Sequence, residues 1–190
     1  AGFGLSDRFG TLRNIMNVLE QSAALGFVAI GQSLVVLVGG IDLSIGAIVT
    51  AASILIAAVV ENNEALMIPM IFGTLAFGAA IGFMNGFVTL KTGVHPLIVT
   101  LGTASILNGL VLLYTLQPTG SVPFWFEEFS YGRIGPLPIA GVTMLACFAL
   151  VWVFLKYTST GRSFYAVGGS PEAARLTGIR SGRITLIAYS

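Results

Sequence analysis

A polytopic bundle of transmembrane helices, all-α in class, is the fold this sequence predicts, and three observations predict it. The 190 residues are 55% hydrophobic and only 9% charged, against about 25% charged in an ordinary soluble domain. Five apolar stretches reach or approach the length needed to cross a bilayer, because a helix rising about 1.5 Å per residue takes roughly 20 residues to span about 30 Å of hydrocarbon. Short polar links join them, so neighbouring spans run antiparallel within one membrane domain. A mean hydropathy of +0.92 excludes a soluble globular domain. A net charge of +1 gives no bulk electrostatic basis for binding nucleic acid.

The first stretch runs from Asn17 to Val38, with a polar start that puts the interface near Glu20 or Gln21. The second, Ile45 to Val60, is short; the third and fourth are Leu66 to Leu90 and Pro96 to Leu116. The fifth covers Leu137 to Leu155, and a sixth begins near Ile184. The chain starts at Ala1 without methionine and stops at Ser190 inside a new apolar run, which reads as one transmembrane domain over 1–190 taken from the interior of a longer protein. The single cysteine, Cys147, falls inside the fifth stretch and reads as a small buried hydrophobe.

Lysine and arginine in the links set the orientation. The 156–183 link holds Lys156, Arg162, Arg175, Arg180 and Arg183 against Glu172 alone, so it is expected to face the cytoplasm. Counting back, Gln117–Pro136 with Glu127, Glu128 and Arg133 is outside, Lys91–His95 is inside, and Glu61–Glu64 is outside. Arg8 and Arg13 then sit outside against the rule, with Asp7 offsetting one of them.

Within the spans, Gly78, Gly82 and Gly86 repeat every four residues and place three bare positions on one helical face, where another backbone can approach. Asn85, Thr100, Thr103, Ser105 and Asn108 are polar at membrane depth, which calls for interhelical hydrogen bonds or a translocation path. The segment "GGIDLS" interrupts two apolar runs. Gly39 and Gly40 permit a tight turn or a broken helix, and Asp42 or Ser44 can cap the next helix. It reads either as a plain capped turn or as a gate beside a permeation path. His95, before Pro96, reads as an interfacial residue without a ligand role.

The most polar segment is "GRSFYAVGGSPEAARLTGIR", residues 161–180. Its "SPEAARLTG" predicts a short helix with Ser170 as N-cap, Pro171 at the first helical position, Glu172 near the positive end of the dipole, and Gly178 as the stop. Two turns of helix are marginal alone and need a partner surface. Gly168 and Gly169 before it offer flexibility and close approach, and Ala173, Ala174 and Leu176 offer apolar contacts beside Arg175. That combination reads as a docking element.

On these residues the chain resembles the permease subunits of ATP-binding-cassette importers for monosaccharides, of the ribose, xylose and galactose type. The resemblance rests on "AIGQSLVVLVGGIDLSIGA" (29–47), "GFMNGFVTLKTGVHPLIVTLGT" (82–103) and "GRSFYAVGGSPEAARLTGIR" (161–180), in order along the whole chain. Leu97 stands where the family commonly has phenylalanine, and Ser170 where it has asparagine. The resemblance implies about ten helices per subunit and two subunits, alike or different, around one pore in a bacterial inner membrane. It also implies a periplasmic binding protein that delivers the sugar, and a coupling loop, with Gly161, Arg162, Gly168 through Leu176 and Gly178, docked on a separate ATP-hydrolysing subunit. ATP and magnesium would be bound by that partner, since this chain carries no G-x-x-x-x-G-K-[ST] loop and no cofactor or metal site of its own is expected.

Three rivals differ from this in kind. A branched-chain amino-acid permease shares the architecture but not the substrate. An intramembrane enzyme needs catalytic groups at one depth, and neither a Ser/His pair nor H-E-x-x-H nor paired acids occur in the spans. A passive channel has no use for a capped basic helix outside the membrane.

Overall fold

The computed structural model describes residues 10–61, 63–117 and 120–190; Asp7 and Arg8, part of the amino-terminal charge count, lie outside them. The helices are α1 (Leu12–Leu37), α2 (Ile45–Val60), α3 (Met67–Thr92), α4 (Pro96–Tyr114), α5 (Phe124–Tyr131), α6 (Ile139–Tyr157), α7 (Ser159–Gly169), α8 (Pro171–Leu176) and α9 (Ser181–Tyr189). Four of these, α1, α3 with the 3₁₀ turn before it, α4 and α6, are long and apolar enough to cross a membrane, while α2 is a shorter apolar helix. The polytopic all-α class holds. Among the described residues its one exception is a two-residue antiparallel ladder, β1 (Arg133–Ile134) with β2 (Leu137–Pro138).

The chain divides into two compact units, one of the residues up to Ile30 with Phe124–Trp152, the other of Gly31–Pro123 with Val153–Ser190. In the first unit, residues 124–136 of the segment expected as a polar outer link carry regular structure. Its aromatic run "FWFEEFSY" forms α5, and Gly135 turns the ladder at φ +63. The Arg133 guanidinium donates to Asn17 Oδ1 at 2.7 Å and pairs with the Glu20 carboxylate. Arg133 and the start of the first span therefore meet on one side of this unit. Gly141 receives Leu19 and Gly26 receives the Met144 sulfur where a Cβ would collide. Cys147 is half-buried rather than buried.

In the second unit α2, α3 and α4 pack on one another around Ala47, Ile81 and Leu107. A second cluster joins α7, α8 and α9 through Phe164, Val167, Ala174, Ile184 and Ala188, with Val38 beside them. The glycine stripe of α3 serves two neighbours. Gly82 and Gly86 face Tyr189 of α9, and Gly78 faces Ile48 of α2. α3 ends on Gly93 at φ +70, and α4 opens with Pro96 at its first position. His95 turns out to be the cap of α4, its exposed ring accepting the Leu97 N–H through Nδ1 at 3.3 Å.

One half of the expectation about Gly168 and Gly169 fails. The glycines read as supplying flexibility and close approach end the helix α7, capped by Thr158, whose hydroxyl accepts the Gly161 N–H at 2.9 Å. Gly161, Phe164 and Val167 recur every third residue and form its buried face. Gly168 is in the helix, and a Cβ there would overlap the Leu37 carbonyl. Close approach, not flexibility, is what this glycine provides.

Candidate functional site

Backbone and side-chain polar groups at membrane depth must find protein partners, since hydrocarbon offers none. The Gly39–Ser44 break meets this demand in two steps. α1 first stops in a Schellman motif: the Gly39 N–H donates to the Val36 carbonyl and the Gly40 N–H to the Val35 carbonyl, both at 2.9 Å, with Gly39 at φ +81. The chain then runs through Ile41 to Ser44 into a cluster of polar side chains.

Ser44 stands directly before α2, yet its backbone is already helical and its side chain caps nothing. Its hydroxyl donates to Asp42 Oδ1 at 2.6 Å, and its N–H donates to the same oxygen at 2.7 Å. Asn85 Nδ2 donates to Ser44 Oγ at 2.9 Å, and Thr103 Oγ1 donates to Asn85 Oδ1 at 2.6 Å. Thr100 Oγ1 accepts the Leu43 N–H at 3.1 Å and donates to the Pro96 carbonyl of its own helix at 3.0 Å. Ser44, Asn85 and Thr100 are fully buried, and Asp42 and Thr103 nearly so. Ser44 as cap is thereby corrected, since its side chain caps nothing, while Asp42 does take the Ser44 N–H at the entry to α2. Asn85 would otherwise be an unpaired amide in the core of the unit, and it takes the hydroxyl that a cap would have used.

Three helices are knotted here by neutral donors and one carboxylate. Asn85 lies seven residues before the end of α3 and Thr103 seven residues after the start of α4, about 10 Å along each helix. This also accounts for the shortness of α2. Its first residue, Ile45, follows a Ser44 bonded at that depth, so the helix starts inside the bundle. Such a joint resembles the broken helices of transporters, where irregular backbone is tolerated only among protein groups or along a cavity.

Of the polar residues that the sequence singles out, the structure brings Gly39, Gly40, Asp42, Ser44, Asn85, Thr100 and Thr103 together and leaves two apart. Ser105 and Asn108 lie on the exposed face of α4, Ser105 bonding back to the Leu101 carbonyl at 2.9 Å. The sequence pointed to membrane depth but not to helix rotation. At 100° per residue, Asn108 falls off the face that carries Thr100, Thr103 and Leu107.

The polar segment beyond α7 takes the shape its residues predict. Ser170 Oγ accepts the Ala173 N–H at 3.2 Å, Pro171 is the first residue of α8, and Glu172 lies in its first turn. Gly178, at φ +87, closes a second Schellman motif, with its N–H on the Arg175 carbonyl and the Ile179 N–H on the Ala174 carbonyl, both at 3.0 Å. Ala174 alone in α8 is buried. Glu172, Ala173, Arg175 and Leu176 face outward, Leu176 with 83% of its surface exposed. Arg162 is exposed on α7. Ser181 Oγ donates to the Pro171 carbonyl at 2.7 Å and ties α8 to the start of α9.

Tyr189 is a residue that sequence reasoning passed over. It is buried, its ring lies where a Cβ on Gly40 would fall, and its hydroxyl faces the Ile41 carbonyl at 3.5 Å. A lone tyrosine in "ITLIAYS" carries no local signal of such a contact, which spans 148 residues.

The chain is 37% identical over 180 residues to the ribose import permease protein RbsC of Bacillus subtilis (strain 168), covering 93% of this chain and 56% of that protein. It is 32% identical to the galactose/methyl galactoside import permease protein MglC of Haemophilus influenzae, over 95% of this chain and 60% of the relative. It is 30% identical to the D-allose transport system permease protein AlsC of Escherichia coli (strain K12), over 90% and 53% respectively. The chain thus spans rather more than half the length of these relatives. No solved structure gives a significant match. Residues 14–190 match the profile of the family described as branched-chain amino acid transport system / permease component, and with a polytopic helical fold beneath that match, the chain belongs to this permease family.

Proposed function

We propose that this chain forms part of the membrane-spanning subunit of an ATP-driven importer and lines the path of a monosaccharide of the ribose, galactose or allose class. The observation that carries the reading is α8, a capped two-turn helix fixed by one face to α7 and α9 while Glu172, Arg175 and Leu176 point away from the unit. A helix too short to stand alone, held rigid and presenting an exposed leucine between charges, has the form of a docking knob. The similarity to ribose, galactose and allose permeases supports the substrate class.

In this reading the 156–183 segment faces the cytoplasm of a bacterial inner membrane, and α8 seats in a separate ATP-hydrolysing subunit. ATP with magnesium binds there, not here. A soluble binding protein delivers the sugar on the opposite side, and a second permease subunit completes the pore. Closure of the ATPase pair draws two copies of α8 together and tilts the helices around the buried joint. The family's own description names branched-chain amino acids, which makes leucine the second substrate to test.

The test is uptake by proteoliposomes that contain the full-length protein with its co-expressed ATPase partner and binding protein. ATP-dependent accumulation of labelled ribose, galactose or allose is expected; accumulation of leucine instead moves the substrate to the second reading, and ATP-independent conduction moves the protein to a passive channel. Reversing the exposed charge with Glu172→Lys should abolish uptake at unchanged protein yield. Wild-type uptake by that variant would sink the docking assignment.

A further inference from the structure

If α8 is pushed by a partner, something must carry the motion to the polar joint, and the packing of the second unit restricts what that can be. α8 does not move by itself. Its first carbonyl is bonded to Ser181 of α9, its last turn to Ile179, and Ala174 shares one apolar cluster with Ile184 and Ala188. α8 and α9 therefore behave as one piece. On the same piece, eight residues after Ser181, stands Tyr189.

Tyr189 touches the joint from two sides. Its backbone carbonyl rests against Gly82 and its ring against Gly86, so α9 is in near-backbone contact with α3. Its hydroxyl and ring edge occupy the space over Gly40, where only hydrogen fits. The carbonyl it reaches belongs to Ile41, the residue between Gly40 and Asp42, and Leu43 two positions on is held by Thr100. The segment beneath Tyr189 is thus the one that presents Asp42 to Ser44 and, through Ser44, to Asn85. A cleft of about 210 Å³ lies alongside, bounded by Gly39 and Gly40, by Thr89 and Pro96, and by Pro171 and Tyr189. The Thr89 hydroxyl at its wall is buried without a partner. The coupling piece has room to shift against the joint, and packed interfaces of this kind move between discrete arrangements.

We infer that Tyr189 is the positioning residue through which displacement of α8 is transmitted to the Gly39–Ser44 break, by the seating of its ring and hydroxyl on Gly40. This rests on the reading of α8 as the docking knob.

The experiment measures ATP hydrolysis and labelled-ribose uptake in the same proteoliposomes of full-length protein with its ATPase partner and binding protein. Gly40→Ala places a methyl group where the Tyr189 hydroxyl sits. It should lower ribose transported per ATP hydrolysed by about tenfold, within the usual range of coupling between sites, while hydrolysis continues. Adding Tyr189→Phe removes the closest colliding atom, leaving Val35 Cγ1 at 2.9 Å and the ring carbon at 3.0 Å, and should restore part of that ratio. Gly82→Ala is the control, because its methyl meets the Tyr189 backbone carbonyl, which Tyr189→Phe leaves in place; no rescue is expected. Tyr189→Ala gives an independent arm should Gly40→Ala assemble poorly, and it too should hydrolyse ATP with little transport. Wild-type coupling in Tyr189→Ala, or failure of Tyr189→Phe to rescue an assembled Gly40→Ala protein, overturns the inference. Absence of ATP-driven uptake in the wild-type complex instead overturns the functional reading beneath it.

Discussion

Ser44 and Ser170 each stand directly before a helix, five residues after and eight residues before a glycine that closes a Schellman motif, and only Ser170 caps its helix. The two glycines are alike, Gly39 closing α1 at φ +81 and Gly178 closing α8 at φ +87. What differs is the company of the serine. Ser170 has water on one side and no rival for its hydroxyl, so it accepts the Ala173 N–H as a local rule would have it. Ser44 is fully buried between a carboxylate that needs donors and an amide that needs an acceptor, and it serves both. Local grammar governs the exposed break, while the buried one answers to groups brought to it from 41 and more residues away.

The sharpest way to break this comparison is at Asp42. Its Oδ1 is the acceptor for both the N–H and the hydroxyl of Ser44. Asp42→Leu orphans two buried donors and should destabilise the full-length protein by about 3 kcal/mol, at 1–3 kcal/mol per unsatisfied group. Asp42→Asn retains an acceptor oxygen and should cost clearly less. Thermal unfolding in mild detergent, followed by loss of the monodisperse peak on size exclusion, reads the difference. Equal stability for Asp42→Leu and wild type would mean that the joint is not held by its hydrogen bonds.

A matched substitution sharpens it further. Ser44→Ala removes a donor to Asp42 and the acceptor of Asn85 and should cost about 2 kcal/mol, above the average for interhelical hydrogen bonds in membranes because two are lost. Ser170→Ala removes one exposed cap and should cost about 1 kcal/mol. Ser170→Asn keeps a side-chain oxygen at the cap and should be neutral. If Ser44→Ala and Ser170→Ala unfold together, the distinction between the two breaks has no energetic content.

The same contrast explains what the sequence let one see. The spans were legible because each is a run of apolar residues whose length a bilayer dictates, and α8 was legible because Ser170, Pro171 and Gly178 act within one or two turns. Asn85, Thr100 and Thr103 could be marked as polar at membrane depth, and they do meet at the joint. Their pairing with Ser44 and Leu43 was not legible, because it depends on how α3 and α4 are rotated about their axes. Asn108 shows the cost of ignoring rotation: the same chemistry, two turns along α4 from Thr100, ends on the exposed face. The flexibility read into Gly168 and Gly169 was misjudged for the opposite reason, since the two glycines drew attention from the three-residue spacing of Gly161, Phe164 and Val167 that makes this segment a helix.

The smallest expected effect belongs to the first unit, where polarity sits at an edge. Arg133 bonds Asn17 and pairs with Glu20, with side chains 34% and 22% exposed. An ion pair partly open to solvent contributes at most about 1 kcal/mol and is screened by salt. Arg133→Gln can still donate to Asn17 and should therefore shift stability by no more than about 0.5 kcal/mol, with the difference shrinking further at high ionic strength. The comparison with Asp42 is then between a polar contact that water can replace and one that it cannot. A loss at Arg133 as large as that of Asp42→Leu, undiminished by salt, would show that the surroundings of Arg133 are themselves sequestered from water, and that charge exposure is the wrong criterion for ranking the polar contacts of this protein.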